Sequence, residues 1–445
     1  MGADVLPDTA LGRLLAGRRL PATPVDAARM RAERHARLQA EMARQEVSAA
    51  VLLHAPHVGY ATGQPARGVD VTVAAFERPV AVVVAGEPRP HLFGGSPDGL
   101  DVVAHPALWP ELDEGAAAVS AALADVVGPR AGRRLAVDEQ TGAMVRAGVV
   151  GGADVVDAGP VVGAAKLTKT ADELACIAEA QRRNERAMEA VRRRLRPGVT
   201  RSELAGTFLA ELAGPGAGDG AGEGAPGGAS GGPSGGPSGR AAANMIDPIF
   251  ERMPRRVADG PRTTTGGVAF PTGTADVTFA EGDLVWVDAG VDHLGYASDF
   301  GRTWVVGRDP TTDEQELFAA WCAVVDAALA ALRPGATAGD LCRAAVAVGA
   351  DAGPGSGGRP WLAHFYLAHG VGIESAEMPL VGTDLGPEFD DALVLAPGMV
   401  LVLEPVVWRD GVGGYRSEEI VAVTADGWCH LGGGHPYAPF GGSGG

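Results

Sequence analysis

The chain has 445 residues, of which 55 are Asp or Glu and 37 are Lys or Arg, so its formal net charge at pH 7 is −18. This length predicts more than one domain with a sizeable core, and a hydrophobic share of 46% is typical of a folded globular protein rather than a disordered one. The acidic balance argues against nucleic acid as a partner, because proteins that bind phosphate backbones need clustered positive charge.

The four cysteines are far apart and form no CxxC pair, which predicts packed thiols in a reducing compartment rather than disulfides or a thiolate metal site. The first 21 residues hold no apolar stretch followed by a small-residue cleavage site, as a secretory signal would. Apolar runs such as 49–53 and 79–85 are far shorter than the roughly 20 residues that cross a bilayer. We therefore expect a soluble, cytoplasmic protein without a membrane partner.

Helical and strand-like patterns alternate over the first 165 residues. A charged segment rich in Ala and Arg over 24–45 predicts a helix, and strand-like runs lie at 47–54, at 74–84 and around 133–137. This alternation predicts a small α/β domain. That part of the chain carries no evident catalytic motif.

Capping boxes mark four helix starts after residue 166. In such a box a Thr side chain and an acidic or amide side chain three residues later each satisfy a free N–H group of the first turn. The pairs are Thr170 with Glu173, Thr200 with Glu203, Thr312 with Gln315, and Thr337 with Asp340. Because LRPGVTRSEL (195–204) and LRPGATAGDL (332–341) are so similar, we expect a duplicated helix–turn–helix and two related halves.

Residues 214–240 separate these halves and include 13 Gly and 4 Pro. Such a segment cannot bury enough apolar surface to offset its ordering entropy, so we predict a flexible insertion without a chemical role. The Arg-rich stretch 182–196 is interleaved with Glu185 and Glu189 at helical spacing, which favours a solvated helix face over a nucleic-acid patch.

Four carboxylates lie on strand-like segments after residue 280. In GDLVWVDAGVDHLGYASDFGRTWVVG, Asp288 and Asp299 flank a turn around 293–295, and a hairpin centred there would place them opposite each other on one face. Glu404 and Glu418 flank a second turn, near residue 411, in the same way. Carboxylates among Val and Trp residues are costly to bury without a partner, so the pattern predicts a shared cation site.

His369 lies between the two predicted hairpins, in AHGVGIESAEMP. One imidazole and four carboxylates make a hard, oxygen-rich donor set suited to a pair of divalent ions. Each of these residues taken alone is better explained as an exposed acidic side chain or a structural histidine. Only their combination favours a metal site.

These motifs resemble the pita-bread metallopeptidase family, in the branch of prolidase, aminopeptidase P and creatinase. The resemblance covers 166–427 through VDAG…GYASDFGRT, HGVG…E.P and GMVLVLEP…YRSEE, while YATG at 60–63 is similar to the amino-terminal domain of that branch. It implies an α+β fold. A creatinase-type α/β domain over 1–165 would precede a duplicated pita-bread catalytic domain over 166–445, which contains the insertion at 214–240.

The resemblance also implies the ligands of two divalent ions, since all five family positions are present. Asp299 and Glu418 would bridge both ions, Asp288 would bind one of them, and His369 and Glu404 would bind the other. Mn²⁺ is the foremost candidate, with Co²⁺, Fe²⁺ or Zn²⁺ as alternatives.

The reaction that the resemblance implies is hydrolysis of small peptides, with Xaa-Pro dipeptidase or aminopeptidase activity as the default and a hydroxide that bridges the ions as the nucleophile. Glu404 would relay the proton, Glu377 would be a nearby acid or a substrate contact, and Arg416 would orient the carboxylates. Relatives commonly pair, so we expect a homodimer.

Two histidines that peptidases of this family usually carry are replaced here, by Ala376, seven residues after His369, and by Thr272 in FPTG. One donor or acid–base group commonly contributes about 10²-fold or more to the rate. A second hypothesis is therefore a non-peptidase of the same fold, a C–N hydrolase or lyase acting on a small molecule, and a third is a non-catalytic binding protein. Of the nearest histidines, His364 is expected to pack among aromatic residues and His293 to face solvent in its turn.

Overall fold

The computed structural model describes residues 17–64, 78–128, 134–150, 153–213, 246–253, 255, 276–353, 356–362 and 365–432. Several sequence predictions lie outside the described residues. These are the secretory-signal question at the first 16 residues, part of one strand at 74–77, the insertion at 214–240, Thr272 and His364.

The amino-terminal part is a mixed six-stranded sheet, in the order β4-β3-β2-β1-β5-β6, with helices on both faces. Its helices are α1 (Ala27–Arg44), α2 (Ala55–Thr62), α3 (Asp113–Val127), α4 (Gly142–Ala147) and α5 (Gly159–Leu167). Its strands are β1 (Ala49–Leu52), β2 (Val80–Val84), β3 (His91–Phe93), β4 (Val103–His105), β5 (Arg134–Val137) and β6 (Asp154–Asp157). The helix predicted over 24–45 and the three predicted strand runs are confirmed, with shorter bounds.

Alternation along β1 explains why both faces of this sheet are covered. Val51 packs in a cluster with Val119 of α3, whereas its neighbour Leu52 packs with Leu38 of α1. Successive side chains of a strand point to opposite faces, so a continuous apolar strand requires helices on both sides.

The remainder of the chain forms antiparallel sheets and two long helix pairs. The helices are α6 (Ala171–Arg194), α7 (Arg201–Leu212), α8 (Thr312–Ala331), α9 (Ala338–Val348) and the short α10 (Pro387–Ala392). One sheet has the order β11-β8-β7, a second has the order β13-β12-β14-β17-β18, and two-stranded pairs join β9 to β10 and β15 to β16. The strands are β7 (Ile246–Arg252), β8 (Leu284–Gly290), β9 (Asp292–His293), β10 (Tyr296–Ala297), β11 (Phe300–Val305), β12 (Ala368–Gly370), β13 (Glu377–Val381), β14 (Val400–Leu403), β15 (Val407–Arg409), β16 (Gly413–Tyr415), β17 (Glu419–Thr424) and β18 (Gly427–His430). The predicted α+β class is confirmed.

The two helix pairs, α6 with α7 and α8 with α9, are joined by matching turns. Gly198 and Gly335 occupy the same position of the two LRPG turns and have φ values of 85° and 82°, a conformation that favours glycine. The N–H of Gly198 donates to the carbonyl of Phe279, and the N–H of Gly335 donates to the carbonyl of Leu395. Because each turn is anchored in the same way, the predicted duplication of helix–turn–helix is confirmed.

Three of the four predicted capping boxes are confirmed, and the third is shifted by one residue. Helix α8 is capped by Thr311 and Glu314 rather than by Thr312 and Gln315. The Glu314 carboxylate also accepts two hydrogen bonds from Arg308, at 2.7 and 2.8 Å. A charged acceptor that is held in place is a stronger cap than a neutral amide, which explains the shift.

The Arg-rich stretch lies on α6 as a solvated face. Arg182 and Arg183 pair with Glu179, and Arg192 and Arg193 pair with Glu189, all at helical spacing on the same helix. Because these arginines pair within their own helix, the prediction of a solvated face is confirmed.

The four cysteines are free thiols, as predicted. Cys176, Cys322 and Cys429 are buried and Cys342 is partly exposed. Over the ranges that the structure describes, we find no helix long and apolar enough to cross a membrane.

Candidate metal centre

The hairpin of β8 and β11 carries Asp288 near its end and Asp299 just before its second strand. The register pairs Asp288 with Gly301, so the predicted direct opposition of Asp288 and Asp299 is wrong. The turn consists of Leu294 and Gly295, whose φ values are both positive, at 54° and 85°. Two such residues define the tight turn that suits the twist of a hairpin, and they place its centre one residue later than predicted.

The shifted register leaves space for a third carboxylate. A Cβ atom on Gly301 would collide with the carboxylate of Glu418, so glycine is required for this approach. As a result, one carboxylate oxygen each of Asp288, Asp299 and Glu418 lie within 4.8 Å of one another. The two aspartates therefore share a site, although they do not face each other directly.

The second hairpin has the predicted register. Strand β14 pairs with β17 so that Leu403 faces Glu419, and the next position places Glu404 opposite Glu418. Both glutamates are almost completely buried, with 2% and 1% of their surface exposed. They lie at the end of the central strands of the five-stranded sheet, where it meets the first hairpin.

His369 joins the cluster from β12, which pairs with β14. Its Nδ1 donates to the carbonyl oxygen of Gly370 at 2.8 Å, and its Nε2 lies 2.8 Å from Glu404 Oε1 and 3.3 Å from Asp299 Oδ2. Because a carbonyl oxygen can only accept, Nδ1 carries a hydrogen and Nε2 is the nitrogen available to a cation. All five predicted ligands are therefore brought together.

Arg416 supplies positive charge to this cluster. Its guanidinium lies 3.2 Å from Asp288 Oδ2 and 2.5 Å from Glu418 Oε1, and it also pairs with Glu404. The same group lies over the Trp286 ring, with 4.7 Å between its Cζ and the ring centroid. Arg416 thus contacts three of the four carboxylates, as expected for a residue that orients them.

Burial and mutual repulsion perturb the pKa values of these groups. Burial, opposed by Arg416 and reinforced by Asp299, raises the pKa of Asp288 to about 7. Burial also raises the pKa of Glu418 well above its ordinary value, while Arg416 and His369 overcome burial and lower the pKa of Glu404.

The histidine shifts in the direction that its neighbours dictate. Burial alone would lower the pKa of His369, but the adjacent Glu404 and Asp299 outweigh it and raise the pKa well above its ordinary value. In the absence of other cations, the raised pKa values therefore favour the protonated forms of Asp288, Glu418 and His369.

The donor set fits divalent cations. Both carboxylate oxygens of Glu418 are buried and accept no hydrogen bond within the described part of the chain; the nearby Arg416 forms an ion pair without hydrogen-bond geometry. When all four carboxylates are ionised, the Arg416 guanidinium and at most one imidazolium, that of His369, oppose them here, so negative charge is in excess. Buried unpaired carboxylates are costly, and oxygen-rich sets of this kind favour hard divalent ions.

Glu377 is buried on β13, opposite Gly370 of the His369 strand. Its Oε1 lies 2.6 Å from the Nζ of Lys169, and its Oε2 lies 3.2 Å from the Nζ of Lys166. Each oxygen of the Glu377 carboxylate therefore lies beside a lysine side chain. The sequence reasoning missed both lysines, for which the only signal was their position in KLTKT, just before a capping box.

The structure describes one of the two replaced histidine positions, Ala376, and one of the two alternative histidines, His293. Ala376 is exposed in the loop that precedes β13. His293 lies half-buried in β9, so the expectation of a solvent-facing turn residue is wrong. Burial, reinforced by Arg183, lowers the pKa of His293 to about 4, which keeps its imidazole neutral.

The chain belongs to metallopeptidase family M24, because the model of that family matches residues 175–425, more than half of the chain. The model of the creatinase/prolidase N-terminal domain matches residues 34–165. The resemblance noted from the sequence motifs is thereby confirmed.

Curated relatives are similar over about a third of the chain. The probable dipeptidase PepE of Mycobacterium tuberculosis is 37% identical over 161 residues, which are 35% of this chain and 38% of that protein. The Xaa-Pro dipeptidase of Pyrococcus horikoshii is 34% identical over 160 residues, or 36% of this chain and 42% of that protein. The matched segment thus spans less than half the length of these relatives.

Solved structures are similar over nearly the whole chain. Dipeptidase PepE from Mycobacterium ulcerans has a TM-score of 0.64 at 23% identity, covering 92% of this chain and 97% of that structure. At this identity the likeness concerns the fold alone, and it agrees with the two-part architecture described above.

Proposed function

We propose that the chain is a metal-dependent peptidase that holds two divalent ions and cleaves small peptides. The observation that carries the proposal is the convergence of five donor side chains around Glu418, whose two buried oxygens accept no hydrogen bond within the described residues. The relatives are a probable dipeptidase and an Xaa-Pro dipeptidase, which supports a peptide substrate.

The distances suggest how the donors divide between two ions. Asp288, Asp299 and Glu418 offer oxygens within 4.8 Å of one another, and His369 Nε2 lies beside Asp299 and Glu404. These distances support Asp299 as a ligand common to both ions. Membership of the family supports Glu418 as the second shared ligand, with Asp288 completing one ion site and His369 with Glu404 the other. Because most donors are carboxylate oxygens, we propose Mn²⁺ as the native ion, with Co²⁺, Fe²⁺ and Zn²⁺ as substitutes.

When bound, such ions polarise a scissile carbonyl and lower the pKa of a water molecule. The protein's own contribution is to hold the acid–base groups. Arg416 and His369 keep Glu404 ionised, so this glutamate is the group we assign to accept a proton. Arg416 fixes the carboxylate through its guanidinium, and Glu377, held by two lysines, is proposed as a nearby acid or a substrate contact.

Ala376 limits the rate that we expect. Its methyl group cannot donate a hydrogen bond to a reacting carbonyl, so cleavage of Xaa-Pro dipeptides should be slower than with an acid–base group at this position. We nevertheless propose Xaa-Pro dipeptides as the substrate class, because relatives of the chain include an Xaa-Pro dipeptidase.

The test counts bound metal and measures cleavage in the same preparations. Full-length protein is stripped with a chelator, reloaded with Mn²⁺ or Co²⁺, and assayed on a panel of Xaa-Pro dipeptides. Asp299→Ala should lose metal and activity together. Asp292→Asn is the matched control, because Asp292 is a nearby, partly buried aspartate outside the cluster that bonds the turn at Gly295.

Three outcomes are informative. About two ions per chain with dipeptide cleavage supports the proposal. Fewer than one ion per chain after reloading would overturn the dinuclear site. Two ions without cleavage of any peptide would overturn the peptidase assignment and favour the C–N hydrolase or lyase considered from the sequence.

A further inference from the structure

A second group of potential metal ligands lies where the two domains meet. One ring nitrogen each of His54 and His57 and one carboxylate oxygen of Glu374 lie within 4.8 Å of one another. Both histidines are at the start of α2 in the amino-terminal domain. Glu374 belongs to the loop 371–376, which follows the His369 strand in the catalytic domain.

The spacing of these atoms is close to that of a coordination sphere. His54 Nε2 lies 3.1 Å from Glu374 Oε1, and tetrahedral Zn²⁺ with bonds of about 2.0–2.1 Å holds its ligand atoms roughly 3.3 Å apart. The two imidazole rings are 4.8 Å apart between centroids and nearly perpendicular, at 79°. A ring nitrogen of His57 lies within 4.8 Å of the other two donor atoms, so it brings a third donor to this pair.

Asp138 holds His57 in the form that a metal requires. Its Oδ2 accepts a hydrogen bond from His57 Nδ1 at 2.9 Å, and the same carboxylate accepts the backbone N–H groups of Leu53 and His54. The Asp138 side chain is only 3% exposed. A buried carboxylate that fixes Nδ1–H leaves the lone pair of Nε2 for a cation, which is the usual support of metal-binding histidines.

Glu374 is also oriented from behind. The ammonium of Lys166 contacts its Oε2, and the same ammonium lies 3.2 Å from Glu377 Oε2. Oε1 of Glu374 is thereby turned towards His54. The lysine charge opposes a cation here, but it is on the far oxygen and is shared with Glu377.

The arrangement leaves one side open. The His54 side chain is 46% exposed and that of Glu374 is 26% exposed, so a fourth position faces solvent, where water can bind. Two imidazoles and one carboxylate with an open position are a donor set typical of Zn²⁺. A plain ion pair of His54 with Glu374 would not require His57 to be held by a buried carboxylate.

We propose that His54, His57 and Glu374 form a Zn²⁺ site that ties the amino-terminal domain to the loop 371–376. The ion would fix this loop between His369 and Glu377, next to Ala376. The site lies outside the five-ligand cluster, so it can be tested whether or not that cluster supports a peptidase.

The experiment uses full-length protein stripped of metal and titrated with Zn²⁺, with bound metal counted after dialysis. Asp299→Ala removes ions of the five-ligand cluster and serves as the background. In that background we expect one remaining Zn²⁺, which His54→Gln or Glu374→Gln removes. The His54 side chain is exposed and that of Glu374 is partly exposed, and Gln keeps a polar group at each position, so folding should be retained. His35→Gln is the matched control, because this histidine of α1 bonds the Glu87 carbonyl and the Gln39 amide and is not part of the proposed site.

Two further readouts separate a metal site from a structural contact. Asp138→Asn should weaken Zn²⁺ binding by about 10- to 100-fold, because it removes the support of His57 but keeps an acceptor for the backbone. Zn²⁺ should raise the unfolding temperature of Asp299→Ala but not of Asp299→Ala combined with His54→Gln. Equal zinc content in folded His54→Gln, Glu374→Gln and their parent would overturn the proposal.

Discussion

Replacing Arg416 by Met should destabilise the metal-free protein far more than the metal-loaded protein. The guanidinium is buried, contacts Asp288, Glu404 and Glu418, and lies over Trp286. Met keeps the length and apolar volume of the side chain but removes its charge. Without metal, the three carboxylates then lose their shared cation.

The magnitude follows from burial. Removing one partner of a buried ion pair costs about 3–5 kcal/mol, and about 2 °C per kcal/mol for a large domain gives a fall of roughly 6–10 °C in unfolding temperature. With divalent ions bound, the carboxylates have other cations. The remaining cost is the lost contact with Trp286, about 1 kcal/mol or roughly 2 °C.

Thermal unfolding with chelator and with Mn²⁺ measures both values. The assay is best run at pH 8, above the pKa of about 7 of Asp288 in the parent protein, so that this carboxylate is charged while Arg416 is present. Arg302→Met is the control, since Arg302 is also buried but pairs with the Glu419 carboxylate and with the backbone carbonyls of Gly301 and Glu418. Its cost should not depend on metal. Equal destabilisation of Arg416→Met with and without Mn²⁺ would refute the reasoning.

Further predictions concern rate, pH, the lysine pair and assembly. Ala376→His should raise kcat on Xaa-Pro dipeptides at least roughly tenfold with a smaller change in KM, whereas Ala376→Phe should not; a steady-state assay compares them. Because the pKa of Asp288 is raised from 3.8 to about 7, its protonation stabilises the metal-free fold fully below the ordinary pKa, and this stability is lost as pH rises through about 7. Metal needs the deprotonated form, so a Mn²⁺ titration should be at least roughly tenfold weaker at pH 6 than at pH 8. Lys169→Met should lower the free energy of unfolding, measured by chemical denaturation, by about 3–5 kcal/mol, and adding Glu377→Leu should restore most of it. No recovery would show that Lys169 does not act by neutralising Glu377. Light scattering should give a homodimer at micromolar concentration, and a monomer would contradict it.

Symmetry about turns made part of the site predictable from sequence. Glu404 and Glu418 lie at equal distances from their turn, and period-two alternation then places them together. The same argument gave the wrong register for Asp288 and Asp299, because it placed the centre of their turn one residue too early. The turn uses Leu294 in a left-handed conformation. Leucine rarely adopts it, and no local signal distinguished that turn from its neighbours.

Contacts between distant segments could not be predicted in this way. Lys169 and Glu377 are 208 residues apart. Lys169 lies in the connection between α5 and α6 and Glu377 lies on β13, and no periodicity or spacing in the sequence relates these two segments. The wrong prediction of Thr312 and Gln315 as the cap has a related cause. Arg308 binds Glu314, which favours the capping box of Thr311 and Glu314. Local patterns therefore identified elements and ligand types, while the charges that hold them came from the tertiary fold.

Side chains that the sequence did not predict, among them Lys166, Lys169 and His54, hold the residues on either side of Ala376, the position of a replaced histidine. Ala376 lies between Glu374, which contacts Lys166 and His54, and Glu377, which contacts Lys169 and Lys166. The loop that carries the usual acid–base position is thus fixed on both sides by ion pairs to the amino-terminal domain and its connection. A histidine at position 376 would be held by contacts that already exist, so Ala376→His should act on the rate without requiring a rearrangement of the loop.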